Sequence, residues 1–165
     1  MNKSYKETWG DIVKDASQFD AIVHGCNCFH IYAKGIAGQI RRIYPEAYEA
    51  DLKTKKGDKN KLGTFSVGIC KLTGFDKPKK LSVINTYTQY HPGADVFYSA
   101  IESAMQKINI EFAGRKIAVP MIGAGIAGGD WSTIKLIILK SLKDVNLTLI
   151  YWDVEKEKYN GKFPE

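Results

Sequence analysis

Apolar residues recur along this chain at two spacings, and the alternation between them predicts strands interleaved with helices. Ala21-Ile22-Val23 is a short apolar run ending at Gly25, the pattern of a buried strand. Ile36, Ile40, Ile43 and Tyr44 fall at helical spacing, with Arg41 and Arg42 on the other side. Pro45 ends that helix, and a second short one runs to about Asp51. Thr64 to Leu72 and Leu81 to Thr86 are predicted strands, separated by turn chemistry from Gly74 to Lys80 that includes Asp76 and Pro78. Phe97, Ile101, Met105, Ile108 and Phe112 form a helical stripe, and Lys116 to Pro120 a short strand. Trp131, Ile134, Ile138 and Leu142 mark another amphipathic helix, and Leu147 to Trp152 a central strand rich in β-branched and aromatic residues. The segment from Asp153 onward is polar and is expected to be a loose tail beginning near residue 154.

This alternation implies one α/β domain over residues 1–165, in three layers, with helices on both faces of a mixed central sheet. Ligands of such sheets bind beyond the carboxyl ends of the strands. Three loops fit that position: those after Val23, after Ile84 and after Val119.

Composition narrows the class. With 165 residues, 44% hydrophobic and 25% charged, the chain fits a soluble globular protein. No apolar run approaches the ~20 residues of a membrane span. Met1 to Lys6 lacks the apolar core of a secretory leader. Three cysteines, Cys26, Cys28 and Cys70, do not form a disulfide framework, so a reducing, cytoplasmic setting without a membrane partner is expected. Residues 53–61 and 71–80 together hold nine lysines against two aspartates, more than the whole net charge of +6. The basic excess therefore sits on two loops expected at the surface, either simply solvated or in weak contact with nucleic acid.

The loop from Met121 to Trp131 has four glycines within seven positions, between a strand and a helix. Glycine lets a ligand approach the backbone closely, and successive amides at a helix N-terminus hold anions without a lysine. The run lacks the Gly-Lys-Ser/Thr ending of a triphosphate loop and comes too late in the chain for a dinucleotide fingerprint. Ala33-Lys34-Gly35-Ile36-Ala37 opens a helix in the same way, and two helix N-termini facing one cleft would suit a diphosphate.

The segment His24-Gly25-Cys26-Asn27-Cys28-Phe29-His30 alternates histidine and cysteine and invites a zinc hypothesis. An extended chain would hold His24 and His30 ~20 Å apart, so no metal is expected and the cysteines serve as small fillers. Asn27 is placed to bond a sugar hydroxyl or to cap a turn. Asp130, before Trp131, is both a helix N-cap and a candidate to orient water. His24 and His30 are candidate proton donors, since histidine titrates near the working pH.

In their order and spacing these motifs resemble the macro domain family, from Gly10-Asp11-Ile12 through Asn27, Lys34 to Ala37 and Ile122 to Trp131, and the likeness reaches about Trp152. Within the family the chain looks like the compact branch of ADP-ribose 1''-phosphate phosphatases and ADP-ribose glycohydrolases. The resemblance implies ADP-ribose as ligand and no cofactor. Asp11 and the Ile12 amide would meet the adenine, with Trp152 and Asp153 beside it. Lys34, Gly35, Ile36 and Ala37 on one side, and Gly123, Ala124, Gly125, Ile126 and Ala127 on the other, would clasp the diphosphate. Asn27 would orient the distal ribose.

Two departures matter. Members that attack the ribose carbon with a lysine carry it just after the strand equivalent to Leu81–Ile84, where this chain reads Asn85-Thr86-Tyr87-Thr88-Gln89. The acidic partner of that lysine would fall near Ala127, so a lysine adduct is not supported. Tyr32-Ala33-Lys34 also replaces a stretch that often reads Met-Gly. The leading expectation is hydrolysis of ADP-ribose 1''-phosphate, with Asn27 holding the ribose, Asp130 orienting water and His24 or His30 giving the proton. Removal of ADP-ribose from modified protein or nucleic acid, or binding without catalysis, are the alternatives.

Overall fold

The computed structural model describes residues 4–165. Six strands form one sheet: β1 (Tyr5–Gly10), β2 (Ala21–Cys26), β3 (Phe65–Leu72), β4 (Lys79–Tyr87), β5 (Lys116–Val119) and β6 (Asn146–Trp152). Their spatial order is β1-β6-β5-β2-β4-β3, and every neighbouring pair is parallel except the antiparallel edge pair β3–β4. The mixed sheet expected from the alternation is present, and β6 lies inside it, between β1 and β5.

Helices cover both faces. On one side α3 (Tyr98–Glu111) and α4 (Trp131–Ser141) press Ile101, Met105, Ile108, Ile134 and Ile138 onto Val23, Ile84, Val119 and Leu149. On the other, α1 (Gly35–Ile43) and α2 (Pro45–Leu52) bury Ile40, Tyr44 and Ala47 against Ile22, Leu81, Val83 and Ala118. Successive strand residues face opposite sides, so Ile22 and Val23 join different cores. Ile43, part of the expected apolar stripe, is instead 47% exposed. The α2 helix lies so close to β3 that a side chain at Gly68 would start 2.5 Å from the Ala47 Cα.

Two features differ from the sequence pattern. Strand β1 has no apolar run, yet it pairs with β6 along its whole length. The polar tail carries regular structure. Asp153–Tyr159 forms a 3-10 helix, and Phe163 returns to stack on Trp9 and Tyr151, with centroids 5.7 and 5.4 Å apart. That aromatic anchor is what holds the charged segment down.

Candidate functional site

Five parallel strands end at one edge of the sheet, and the segments that follow them enclose a cleft of about 700 Å³. Residues 10–13 follow β1, residues 27–37 follow β2, residues 88–93 follow β4, residues 120–127 follow β5, and Trp152 ends β6. After β2 the chain builds β4 on one side, and later β5 on the other. The cleft therefore lies at the point where strand order reverses, where open α/β sheets bind ligands.

Its middle is made of backbone. Lys34 is the N-cap of α1, but its side chain makes no capping bond. The amides of Gly35, Ile36 and Ala37, orphans of the first helical turn, are left at the cleft wall. Opposite them, the 121–129 loop closes on itself through Gly129 N to Gly123 O at 2.8 Å and Gly128 N to Gly125 O at 3.1 Å. The amides of Gly125, Ile126 and Ala127 take no part in those internal bonds. The two segments meet over the cleft, where Ile126 Cδ1 lies 3.9 Å from the start of any side chain at Gly35. Gly35 and Gly123 both have positive φ, +62° and +74°, which aims their neighbours' amides as no β-branched residue would allow. Among the described residues Lys34 is the only lysine on the cleft wall, so an anion here is met mainly by dipoles.

Asp11 and Ile12 form one end. Asp11 Oδ1 accepts the amides of Val13 at 3.0 Å and Lys14 at 3.1 Å, which fixes the turn after β1. Trp152 stands beside them, half exposed. Asp153 lies off the cleft wall, and Glu155 takes a place there instead. Ala124 likewise lies behind the wall, its amide bonded to Met121 O.

Asn27 forms the other end. Its Oδ1 accepts the Phe29 amide at 2.8 Å and its Nδ2 donates to Ile31 O at 2.9 Å. It therefore holds the 27–31 turn while one Nδ2 hydrogen remains for a ligand. Thr88 N to Cys26 O and Cys28 N to Tyr90 O extend the β2–β4 neighbourhood past the strand ends and bring Asn27 and Gln89 to the same part of the wall. The Gln89 amide group donates to His91 O and Gly93 O, leaving its oxygen as an acceptor. Thr88 and Gln89 fall in the loop after Ile84 that the sequence places near the ligand, but the sequence marks them only by the missing lysine and assigns them no role.

The expected acid and base groups are not brought together. His24 belongs to the cleft wall but its ring is 1% exposed. Asn85 Nδ2 donates to Ala47 O and Ser66 Oγ, so its oxygen faces the ring, and His24 Nε2 donates to it at 2.7 Å. Burial pushes the imidazole down to about 4, against a smaller opposing pull from that bond, so the ring is neutral at working pH. His30 points away from the cleft and pairs with Asp51 at 2.9 Å. Asp130 caps α4: one carboxylate oxygen accepts from Ser132 Oγ, Thr133 N and Thr133 Oγ1 at 2.6 to 3.0 Å. These bonds hold its carboxyl below the usual range, and it does not line the cleft.

The cysteines point in different directions. Cys26 Sγ lies 3.3 Å from the Tyr32 hydroxyl, Cys28 donates to Gln89 O, and Cys70 packs under α1 and α2. Beneath the Asn27 turn lies a buried polar network that the sequence pattern does not reveal. Tyr87 donates to Asp51 Oδ1 at 2.6 Å, and Lys61, 7% exposed, reaches Asp51 and Cys28 O. Lys61 is thus not part of the surface charge expected of residues 53–61. Among the described residues no helix is long and apolar enough to cross a membrane.

A sheet with its cleft at the strand-order reversal, flanked by two facing rows of backbone amides, defines a three-layer α/β/α protein with an amide-lined cleft. The chain belongs to the macro domain family, whose model matches residues 23–138. It is 37% identical over 150 residues to an uncharacterized 17.5 kDa protein of Enterobacteria phage T4, covering 87% of this chain and 94% of that one. It is 28% identical over 144 residues to the DNA ADP-ribosyl glycohydrolase of Mycobacterium tuberculosis; that match covers 82% of this chain but 38% of the longer relative. The solved macrodomain of Mycobacterium tuberculosis DarG matches with a TM-score of 0.68 and 25% identity, over 90% of this chain and 97% of that one.

Proposed function

We propose that this protein hydrolyses ADP-ribose from modified nucleic acid. The observation that carries the reading is the cleft itself, with facing amide rows at 35–37 and 125–127 between an Asp11 end and an Asn27 end. The relation to a DNA ADP-ribosyl glycohydrolase supports the choice of nucleic acid. The adenine sits between Asp11, Ile12 and Trp152, the diphosphate between the amide rows, and the distal ribose against Asn27. Binding energy from these remote groups positions the reacting carbon beside Thr88 and Gln89. Water adds its oxygen to that carbon. The bond to the nucleic acid breaks, its electron pair leaves with the nucleic acid, and the proton released by water restores that group. The Gln89 oxygen, an acceptor on this wall, is the group we assign to orient the water.

Hydrolysis of ADP-ribose 1''-phosphate would use the same cleft, but the groups expected to serve it are not gathered at the distal end. Asp130 and His30 lie off the cleft, and His24 is buried and neutral. The two reactions separate in one experiment, in which the protein is given ADP-ribosylated DNA and ADP-ribose 1''-phosphate in parallel. Loss of ADP-ribose from the DNA is expected. Phosphate release with the DNA left modified would reassign the reaction.

A further inference from the structure

The two lysine-rich stretches lie at opposite ends of the sheet. Residues 71–80 span the β3–β4 turn, at the amino end of β4 and far from the cleft. Residues 53–59 are tied directly to the cleft's distal end. Gly57 N donates to Cys28 O at 2.7 Å, within the turn that Asn27 organises, and Tyr90 donates its hydroxyl to Gly57 O at 2.7 Å. Lys53, Lys55, Lys56 and Lys59 are all exposed in this segment, and none has a carboxylate partner among the described residues.

Aromatic rings stand at the same place. Phe29 stacks on His91 with centroids 5.2 Å apart and an angle of 9°, and Tyr90 meets Phe29 edge-on at 4.9 Å. His91 is exposed, and Lys59 Nζ lies 5.3 Å from the Tyr90 ring. His91 is thus an exposed ring backed by the half-buried Phe29 and Tyr90 and bordered by unpaired lysines, and proteins hold single-stranded nucleic acid with such platforms: bases stack while cations follow the phosphates. Here the combination flanks the end of the cleft from which the leaving group would emerge.

We infer that the 53–59 segment, with His91 and the rings behind it, is a docking surface for the single-stranded polynucleotide that carries the ADP-ribose. This rests on the proposed glycohydrolase reading for its biological use, but its test does not depend on turnover. The strand's phosphates pair with the four lysines, and a neighbouring base stacks on His91. The 71–80 stretch takes no part.

The test is fluorescence anisotropy of the whole protein with an unmodified, labelled oligodeoxythymidine, at salt from about 50 to 200 mM. Wild type binds, with affinity falling steeply as salt rises. Changing Lys53, Lys55, Lys56 and Lys59 to Glu weakens binding by about tenfold or more and flattens the salt slope by roughly 3. K77E/K80E binds like wild type, and His91→Ala weakens binding at unchanged salt slope. Circular dichroism confirms folding of each variant. Equal binding by the 53–59 variant and wild type, or equal loss from K77E/K80E, would overturn the inference. So would no binding by wild type at the lowest salt. In parallel, the 53–59 variant should raise KM for an ADP-ribosylated oligonucleotide while leaving cleavage of an ADP-ribosylated mononucleotide unchanged. The same rise in KM with an ADP-ribosylated peptide would count against a nucleic-acid surface. If wild type cleaves neither the oligonucleotide nor the mononucleotide, the glycohydrolase reading fails, and the anisotropy result still decides the surface.

Discussion

His24 Nε2 donates to Asn85 Oδ1 at 2.7 Å, across the register pair that joins β2 to β4. The bond fixes the tautomer of a ring that water does not reach. In the unfolded chain the imidazole titrates near 6.5, and in the folded protein near 4. Between those values the unfolded state binds more protons, so stability rises with pH. It is fully present above about 6.5 and is lost as pH falls through about 4, a difference of about 3 kcal/mol. Urea unfolding across that range should show the slope in wild type and a flatter one in His24→Gln. An unchanged slope would mean that another group carries it.

Asp130 is expected to matter for stability more than for turnover. Asp130→Ala removes the cap of α4 and should lower Tm by about 2–4 °C. Glycohydrolase activity below the new Tm should stay within about threefold, since no reacting group is touched. Loss of activity at an unchanged Tm would return Asp130 to the chemistry.

Asn27 holds its own turn and, in the proposed reading, orients the distal ribose, and two substitutions test these roles. Asn27→Asp keeps the acceptor for the Phe29 amide but gives up both Nδ2 hydrogens, the one held by Ile31 O and the one left for a ligand, so Tm should fall by a few degrees while turnover falls about 100-fold. Asn27→Ala loses the acceptor as well. Thermal melts beside steady-state rates distinguish the two, and full activity in Asn27→Asp would remove Asn27 from the site.

If backbone amides hold the diphosphate, Lys34 is dispensable. Lys34→Ala should weaken ADP-ribose binding about fivefold at most, as expected of an exposed charge. Gly35→Val forces a β-branched residue to φ +62° and directs it toward Ile126. Calorimetry should show a loss of affinity above about tenfold, because the amide row can no longer keep its direction. The reverse order would place the anion on Lys34.

The layered fold was legible because its core-facing residues follow the two periods closely: Ile101, Met105 and Ile108 on α3, and the apolar run of β6. Strand β1 was not, because Tyr5, Lys6, Glu7 and Thr8 carry no alternation, and pairing with β6 supplies what their pattern lacks. The tail escaped for the same reason: one residue, Phe163, anchors a charged segment through contacts distant in sequence. In the site, the glycine loop and the Lys34–Ala37 turn could be read because glycine restricts the possible backbones. The places of Asp130, His24 and His30 could not, since each depends on which way a side chain turns. Asp51, buried among His30, Lys61 and Tyr87, has no local signal at all. Gln89 was visible only as the absence of a lysine.

The most direct measurement is mass spectrometry of single-stranded DNA carrying ADP-ribose, before and after incubation with the protein. Free ADP-ribose and intact unmodified DNA are the predicted products, with excess ADP-ribose slowing their release by competing for the cleft. DNA that keeps its full modification at saturating protein, from a sample that binds ADP-ribose, would contradict the proposed reaction.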